Sequence, residues 1–292
     1  MSKITLLDGG MGQELVHRAG DKPTALWSTQ IMIDHPGLVE QVHRDFAVAG
    51  ATIATANTYA IHHDRLEGTG MEDQFRDLHD RAIAEARASG ATRIGGSIGP
   101  LGASYRADVM PDHDIAVAKF AEKAALMAPY VDLIQCETVV SVAQTLAIME
   151  GAAVAGKPIW IAFSVSDRDG TMLRSGESLA DAVVAARGAA AVMVNCSAPE
   201  VIPAALGVLA SSGKPYGAYP NGFERITEDF LKSKPTVDAL AKRRDFTPDL
   251  FADQAMEWVE HGATIIGGCC EVSPAHIAEI AKRLRAAGHE IV

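Results

Sequence analysis

Short, continuous apolar runs alternate along the chain with longer stretches in which apolar residues recur at helical spacing. The runs are "ITLLDGG" (4–10), "ATIATANT" (51–58), "TRIGGSIG" (92–99), "VDLIQCET" (131–138), "PIWIAFSV" (158–165), "AAVMVNCS" (190–197), "PYGAYPNG" (215–222) and "ATIIGGCC" (263–270). Between them lie segments such as "LVEQVHRDFAVAG" and "FADQAMEWVEHG", each ending in a glycine suited to a helix C-cap. Runs without polar alternation suit strands buried on both faces, as in a parallel sheet covered by helices. Eight such βα units predict a TIM (β/α)8 barrel, with residues 1–292 as a single domain. A doubly wound open sheet is the competing arrangement of the same pattern. Longer excursions are expected after the second strand, about Thr58 to Gly70, and after the seventh, Phe223 to about Asp253.

Composition changes this picture little. With 48% hydrophobic and 22% charged residues in 292, the chain is of ordinary globular make-up. Its formal charge of -11 and the lack of a Lys/Arg block argue against nucleic acid as a partner. No run is long enough to cross a bilayer and the amino terminus does not read as a signal peptide, so a cytoplasmic protein without a membrane partner is expected. Four cysteines, two of them adjacent, fit a reducing compartment better than a disulfide framework. Homo-oligomerisation is left open, and the final "AGHEIV" carries no motif.

Chemistry collects where barrel enzymes keep it, at the carboxyl ends of the strands. Asp8, Asn57, Ser97, Glu137, Ser164, Asn195, Asn221 and the cysteines 196, 269 and 270 all fall there. Adjacent cysteines cannot easily pair with each other, because a disulfide needs Cα atoms farther apart. Closing a barrel would instead bring Cys196 to Cys269 and Cys270, and three thiolates with a fourth position open make a catalytic zinc (Zn²⁺) site. Successive strand side chains point to opposite faces, so Gly267 and Gly268 are expected to let the backbone leave strand geometry before the pair. The competing reading takes these cysteines as small residues at a crowded strand end. Cys136 is assigned to the helix-facing core, opposite in parity to Glu137. His62 and His63, in a polar loop beside Asp64, read as solvated surface.

The segments "LLDGGMGQEL", "TANTY", "GGSIGPLGA", "FSVSDRDGTMLRSGESL", "VNCS", "YPNG" and "GGCC" resemble the homocysteine S-methyltransferase family, over nearly the whole chain. The resemblance implies a zinc-dependent barrel that methylates homocysteine to methionine, with Cys196, Cys269 and Cys270 as metal ligands. It further implies that Asp8 and Glu137 hold the amino group of homocysteine and that amides of the loop Gly9, Gly10, Met11 and Gly12 receive its carboxylate. Asn57 and Asn195 are further candidates for substrate binding. Elementary chemistry agrees, since a Gly-rich turn opening a helix suits an anion and two carboxylates suit an ammonium. A dinucleotide-binding loop is the rival reading of "GGMGQEL", but Leu15 stands where its third glycine belongs.

A thiolate-rich zinc site would carry net negative charge and attract a cationic methyl donor. A sulfonium such as S-methylmethionine or dimethylsulfoniopropionate is favoured over a quaternary ammonium, which would want an aromatic cage; Trp27, Tyr59, Tyr105, Tyr219 and Phe223 lie near the mouth loops. The alternatives are methylation of another thiol or of a selenol on the same scaffold, and a non-catalytic zinc-binding barrel.

Overall fold

Each of the eight apolar runs carries a β-strand in the computed structural model, which describes residues 2–21, 24, 26–224, 226, 231 and 241–292. They are β1 (Lys3–Leu6), β2 (Ile53–Thr55), β3 (Arg93–Ile98), β4 (Leu133–Val139), β5 (Ile159–Phe163), β6 (Ala191–Asn195), β7 (Tyr216–Tyr219) and β8 (Ile265–Ile266). A ninth, β9 (Glu290–Ile291), forms within the carboxyl-terminal stretch that showed no motif. The strands pair in parallel in the order β2-β3-β4-β5-β6-β7-β8-β1-β9. A bridge between Leu7 and Ile53, with Thr52 N–H donating to Leu6 O at 2.8 Å, joins β1 to β2 and closes the barrel. Closure excludes the open sheet. β9 pairs Lys3 with Glu290, and Thr52 Oγ1 donates to Val292 O at 2.7 Å, so the last residues occupy the seam at the amino-terminal end.

After β1 come α1 (Met11–Ala19), α2 (Ser28–Asp34) and α3 (Leu38–Ala49); after β2 come α4 (His63–Leu66) and α5 (Phe75–Ala88). Strands β3 to β8 are followed in turn by α6 (His113–Met127), α7 (Val142–Ala152), α8 (Leu179–Ala185), α9 (Ile202–Ala210), α10 (Pro248–Glu260) and α11 (Pro274–Ala286). Local chemistry sets several helix starts. Ser141 Oγ accepts Gln144 N–H at 3.1 Å, Thr247 Oγ1 accepts Leu250 N–H at 3.3 Å, and Pro248 and Pro274 open their helices with a preset φ. The first expected excursion contains α4; much of the second lies outside the described residues. Among the described residues no helix is long and apolar enough to cross a membrane.

Strand parity decides what reaches the interior. In β4, Leu133 belongs to the inner cluster while Ile134 and Cys136 pack in the helix-facing core. In β6, Ala191 and Met193 point inward and Val192 and Val194 outward. The same alternation directs Gln135, Glu137 and Asn195 to the inside, and Cys136 is fully buried among apolar neighbours.

Candidate active site

A cavity of about 420 Å³ opens at the carboxyl ends of the strands, lined by Asp8, Glu137, Asn57, Asn195 and the cysteines 196, 269 and 270 together. The three cysteine sulfurs lie within 4.8 Å of one another, although 73 residues separate Cys196 from Cys269. Cys196 Sγ and Cys269 Sγ are in direct contact, with Cα atoms 5.8 Å apart, and Cys270 Sγ is 3.9 Å from Cys269 Sγ. As thiols the three form a compact trio facing the cavity, a donor set suited to a soft or borderline cation with one position left open. Burial pushes the Cys270 thiol up to about 12, with the neighbouring Glu271 carboxylate adding to the effect. A cation held by the trio would offset that cost, and three sulfur donors within 4.8 Å of one another fit a zinc ion.

The turn that carries the vicinal pair is fixed from both sides. Gly268 N–H donates to Asp8 O (3.1 Å), Cys269 N–H to Pro220 O (2.8 Å), Gly222 N–H to Cys270 O (2.8 Å) and Gly10 N–H to Val272 O (2.8 Å). Gly267 and Gly268 do not adopt positive φ; they are needed because a Cβ there would meet Leu7 at 2.5 Å and Val272 at 2.2 Å. The left-handed residue is instead Glu271, at φ 67°. Trp27, Tyr105, Thr138 and Cys196 are the other non-glycine residues with positive φ among the described residues, and all four line the cavity. Backbone strain therefore gathers at one place, as it does at functional sites.

Both carboxylates are buried and held. Asp8 accepts Thr55 N–H and Thr55 Oγ1, each at 2.7 Å. Glu137 accepts Ser97 Oγ (2.6 Å), Gln135 Nε2 (2.7 Å) and Tyr219 OH (3.2 Å). Burial nevertheless raises Asp8 to about 7, with the charge of Glu137 adding to it, and burial raises Glu137 as well. Two carboxyls poised in this way are matched by an incoming ammonium.

Of the loop amides, Gly10 N–H is engaged by Val272 O, and Met11 N–H donates to Gly9 O at 2.9 Å. The amides of Gly12 and Gln13, one step into α1, have no backbone acceptor among the described residues. They sit at the positive end of the helix, where an anion is stabilised. Gly12 also makes room for Trp27, whose ring would lie 2.3 Å from a Cβ at that position. Trp27 Nε1 donates to Gln13 Oε1 (3.1 Å), Gln13 Nε2 donates to Glu271 Oε1 (3.0 Å), and Lys242 pairs with Glu271 (2.9 Å). This chain of contacts links the two loops that flank the cysteines. Trp27, Tyr59, Tyr105, Tyr219 and Phe223 all line the cavity, giving it the aromatic walls that suit a cation.

Some expectations change. His62 is buried, not solvated: its Nε2 lies 3.0 Å from Gly99 O and 3.4 Å from Lys123 Nζ. Lys123, fully buried on α6, donates to Thr58 O (2.6 Å) and Ile61 O (3.0 Å) and anchors the loop after β2. His63 is exposed and pairs with Glu122, as a surface residue should. Asn195 reaches Thr138 with both ends of its amide, and Asn57 Nδ2 donates to Ser28 O at 3.2 Å, so both brace the site's walls. Asn221 Oδ1 accepts Phe223 N–H at 3.1 Å. An unforeseen clamp holds Cys196: Arg174 Nη2 (3.2 Å) and Ser164 Oγ (3.2 Å) donate to its carbonyl, while Asp167 pairs with Arg174 (2.8 Å) and accepts Ala198 N–H (3.0 Å). The run "SVSDRDGTMLRSGE" is the signal that could have found it.

Residues 5–284 match the profile of the family described as homocysteine S-methyltransferase. A homocysteine S-methyltransferase of Escherichia coli is 30% identical, with 96% of this chain and 95% of the relative covered. A selenocysteine Se-methyltransferase of Brassica oleracea is 26% identical, covering 96% and 88%. Among solved structures, the metallated form of the homocysteine methyltransferase MmuM from Escherichia coli superposes with a TM-score of 0.80 at 27% identity, over 97% of this chain and 96% of that one.

Proposed function

The chain belongs to the homocysteine S-methyltransferase family, and from that premise we propose that it transfers a methyl group from a small sulfonium donor, S-methylmethionine or similar, to the thiol of homocysteine. The carrying observation is the convergence of three cysteine sulfurs and two buried carboxylates on one cavity of about 420 Å³, a volume within the range of small-molecule sites. Cys196, Cys269 and Cys270 would hold a zinc ion. Bound there, zinc lowers the pKa of a thiol ligand, which at ~8.5 is otherwise mostly protonated at neutral pH.

The chain's own groups bind and align. Asp8 and Glu137 take the ammonium of homocysteine, and the Gly12 and Gln13 amides take its carboxylate. The aromatic walls accept the donor cation and exclude water, so that the two sulfurs and the methyl carbon come into line. The homocysteine sulfur forms the new S–CH₃ bond with its lone pair as its thiol proton is released. The donor's S–CH₃ bond breaks with its electrons on the leaving sulfur, which becomes a neutral thioether. With S-methylmethionine both products are methionine.

The test is methionine formation by the reduced, zinc-loaded protein from homocysteine and S-methylmethionine, with dimethylsulfoniopropionate and betaine offered in parallel. Turnover lost together with bound zinc in Cys196→Ala is the expected result; an active, zinc-free variant would overturn the proposal. Likeness to the selenocysteine Se-methyltransferase supports a second reading, in which the acceptor is a selenol. Selenocysteine in place of homocysteine in the same assay separates the two.

A further inference from the structure

The wall of the cavity that follows β2 holds a cationic side chain that no carboxylate among the described residues pairs with. Arg65 and Arg106 are the basic side chains lining the cavity among the described residues. Arg106 is already committed: its Nε and Nη2 embrace Asp108, and its Nη1 donates to Leu231 O at 3.1 Å. Arg65 makes no ion pair among the described residues. Its Nη2 reaches only neutral acceptors, Pro100 O at 3.3 Å and Ser104 Oγ at 3.5 Å, and its buried Nε has no hydrogen-bond partner. The adjacent Asp64 lines the same cavity but makes no ion pair with Arg65 among the described residues: its Oδ2 accepts Gly102 N–H at 2.5 Å and its Oδ1 has no hydrogen-bond partner. A partly buried guanidinium without a carboxylate is an incomplete arrangement, because its planar fork of donors is matched by a carboxylate's two oxygens.

The guanidinium is also held in place. It lies 5.8 Å from the centre of the Tyr59 ring, and Tyr59 OH is 2.8 Å from Ser104 Oγ. Gly99 leaves room for that ring, which a Cβ there would meet at 2.8 Å. Tyr59, Ser104 and Tyr105 line the same cavity as Arg65 and the cysteines.

Resting on the reading of this cavity as a methyl-transfer site, we propose that Arg65 receives the carboxylate of the methyl donor, which is therefore a small zwitterion bearing a carboxylate at the end of a short chain opposite its sulfonium centre. The donor's positive end meets the thiol side of the cavity and its negative end meets Arg65. Two opposite charges fix its direction, and simple trialkylsulfonium ions are discriminated against for want of the second contact.

The experiment is a binding cycle followed by calorimetry on the reduced, zinc-loaded protein. Homoserine, whose hydroxyl replaces the acceptor thiol, fills the homocysteine side. S-methylmethionine and its decarboxylated analogue, 3-aminopropyl-dimethylsulfonium, are titrated into the unaltered protein, Arg65→Gln and Arg65→Lys. Tighter binding of S-methylmethionine by at least tenfold is expected in the unaltered protein. Arg65→Gln should abolish the difference, Arg65→Lys should restore part of it, and homoserine affinity should stay within twofold. Equal weakening of both ligands by Arg65→Gln would mean that Arg65 only props Tyr59, and would overturn the proposal. Absence of any preference for the carboxylate in the unaltered protein, or no binding of S-methylmethionine, would overturn it too. Methyl transfer is scored separately: carboxylate-dependent binding without turnover would refute the catalytic reading and leave the Arg65 assignment intact, and turnover without an Arg65 effect would do the reverse.

Discussion

Asn195 grips Thr138 from two sides: its Oδ1 accepts the Thr138 backbone N–H at 3.0 Å and its Nδ2 donates to Thr138 Oγ1 at 3.1 Å. Thr138 stands at φ 59°, a conformation that a β-branched residue adopts only under constraint. Its neighbour Glu137 carries one of the two cavity carboxylates, so a contact between β6 and the end of β4 sets the direction of that carboxylate. Asn195→Ala leaves a buried N–H unsatisfied and removes the constraint. A loss of about 2–4 kcal/mol in urea unfolding is expected, with the homocysteine KM raised by about tenfold or more. An unchanged KM would show that Thr138 keeps its geometry unaided.

Asp8 should make the ligand-free protein less stable as pH rises. Its folded pKa of about 7 lies above the ordinary carboxyl value of 3.8, so between these the native state holds the proton more tightly than the unfolded chain, and stability falls with rising pH across that window. Asp8→Asn removes the effect. The variant should match the unaltered protein below pH ~4 and exceed it above pH ~7 by no more than ~4 kcal/mol, as read from denaturant midpoints at the two extremes. Homocysteine binding should weaken in the same variant, and in the unaltered protein it should weaken as pH drops through about 7. A destabilised Asp8→Asn protein at pH 8 would contradict this account.

Gly10 tests the proposed metal site without touching its three cysteines. A Cβ there would lie 2.6 Å from Cys269 O and 3.0 Å from Glu271 N, both backbone atoms that cannot swing aside. Gly10→Ala must therefore displace the turn bearing Cys269 and Cys270, at about 1–3 kcal/mol in stability. Zinc affinity measured by chelator competition should fall at least tenfold. Affinity equal to that of the unaltered protein would show that the turn tolerates the shift.

Cys196 and Cys269, with Cα atoms 5.8 Å apart, stand at a spacing that a disulfide can bridge, so oxidation would consume two of the three thiols and exclude metal binding. Protein oxidised before zinc is added should take up none until a reductant is supplied, as measured by metal analysis after desalting. Cys136→Ala is the contrast. That side chain lies in the helix-facing core, so the substitution should cost about 1 kcal/mol of stability and leave one zinc per chain. Full zinc uptake by the oxidised protein would remove Cys196 or Cys269 from the ligand set.

Much of the architecture was legible because a strand covered on both faces must be apolar throughout, and all eight runs became strands. The side to which Cys136 points followed from parity alone. Other features depend on contacts between residues far apart, for which periodicity has no signal. His62 reads as a loop residue until Lys123, on another element, is found beneath it. Gly267 and Gly268 suggest backbone freedom, but their actual role is to let Leu7 and Val272 come close. Asn195 is polar and at a strand end, yet its amide is directed at Thr138. β9 is too short to announce itself and exists because β1 offers it an edge.

That edge has a consequence for how the chain reaches its final form. β1 precedes the other strands of the barrel in sequence, and its neighbours are β8, β9 and, through the Leu7–Ile53 bridge, β2. During synthesis it must therefore wait for the other strands of the barrel to emerge before most of its partners exist. Contacts of such large sequence separation make folding slow and leave apolar strands exposed meanwhile. The Gly9–Gly10 loop and the Cys269–Cys270 turn are stitched to each other at this same junction, so a nascent chain carries no complete thiol trio until the turn after β8 has been made.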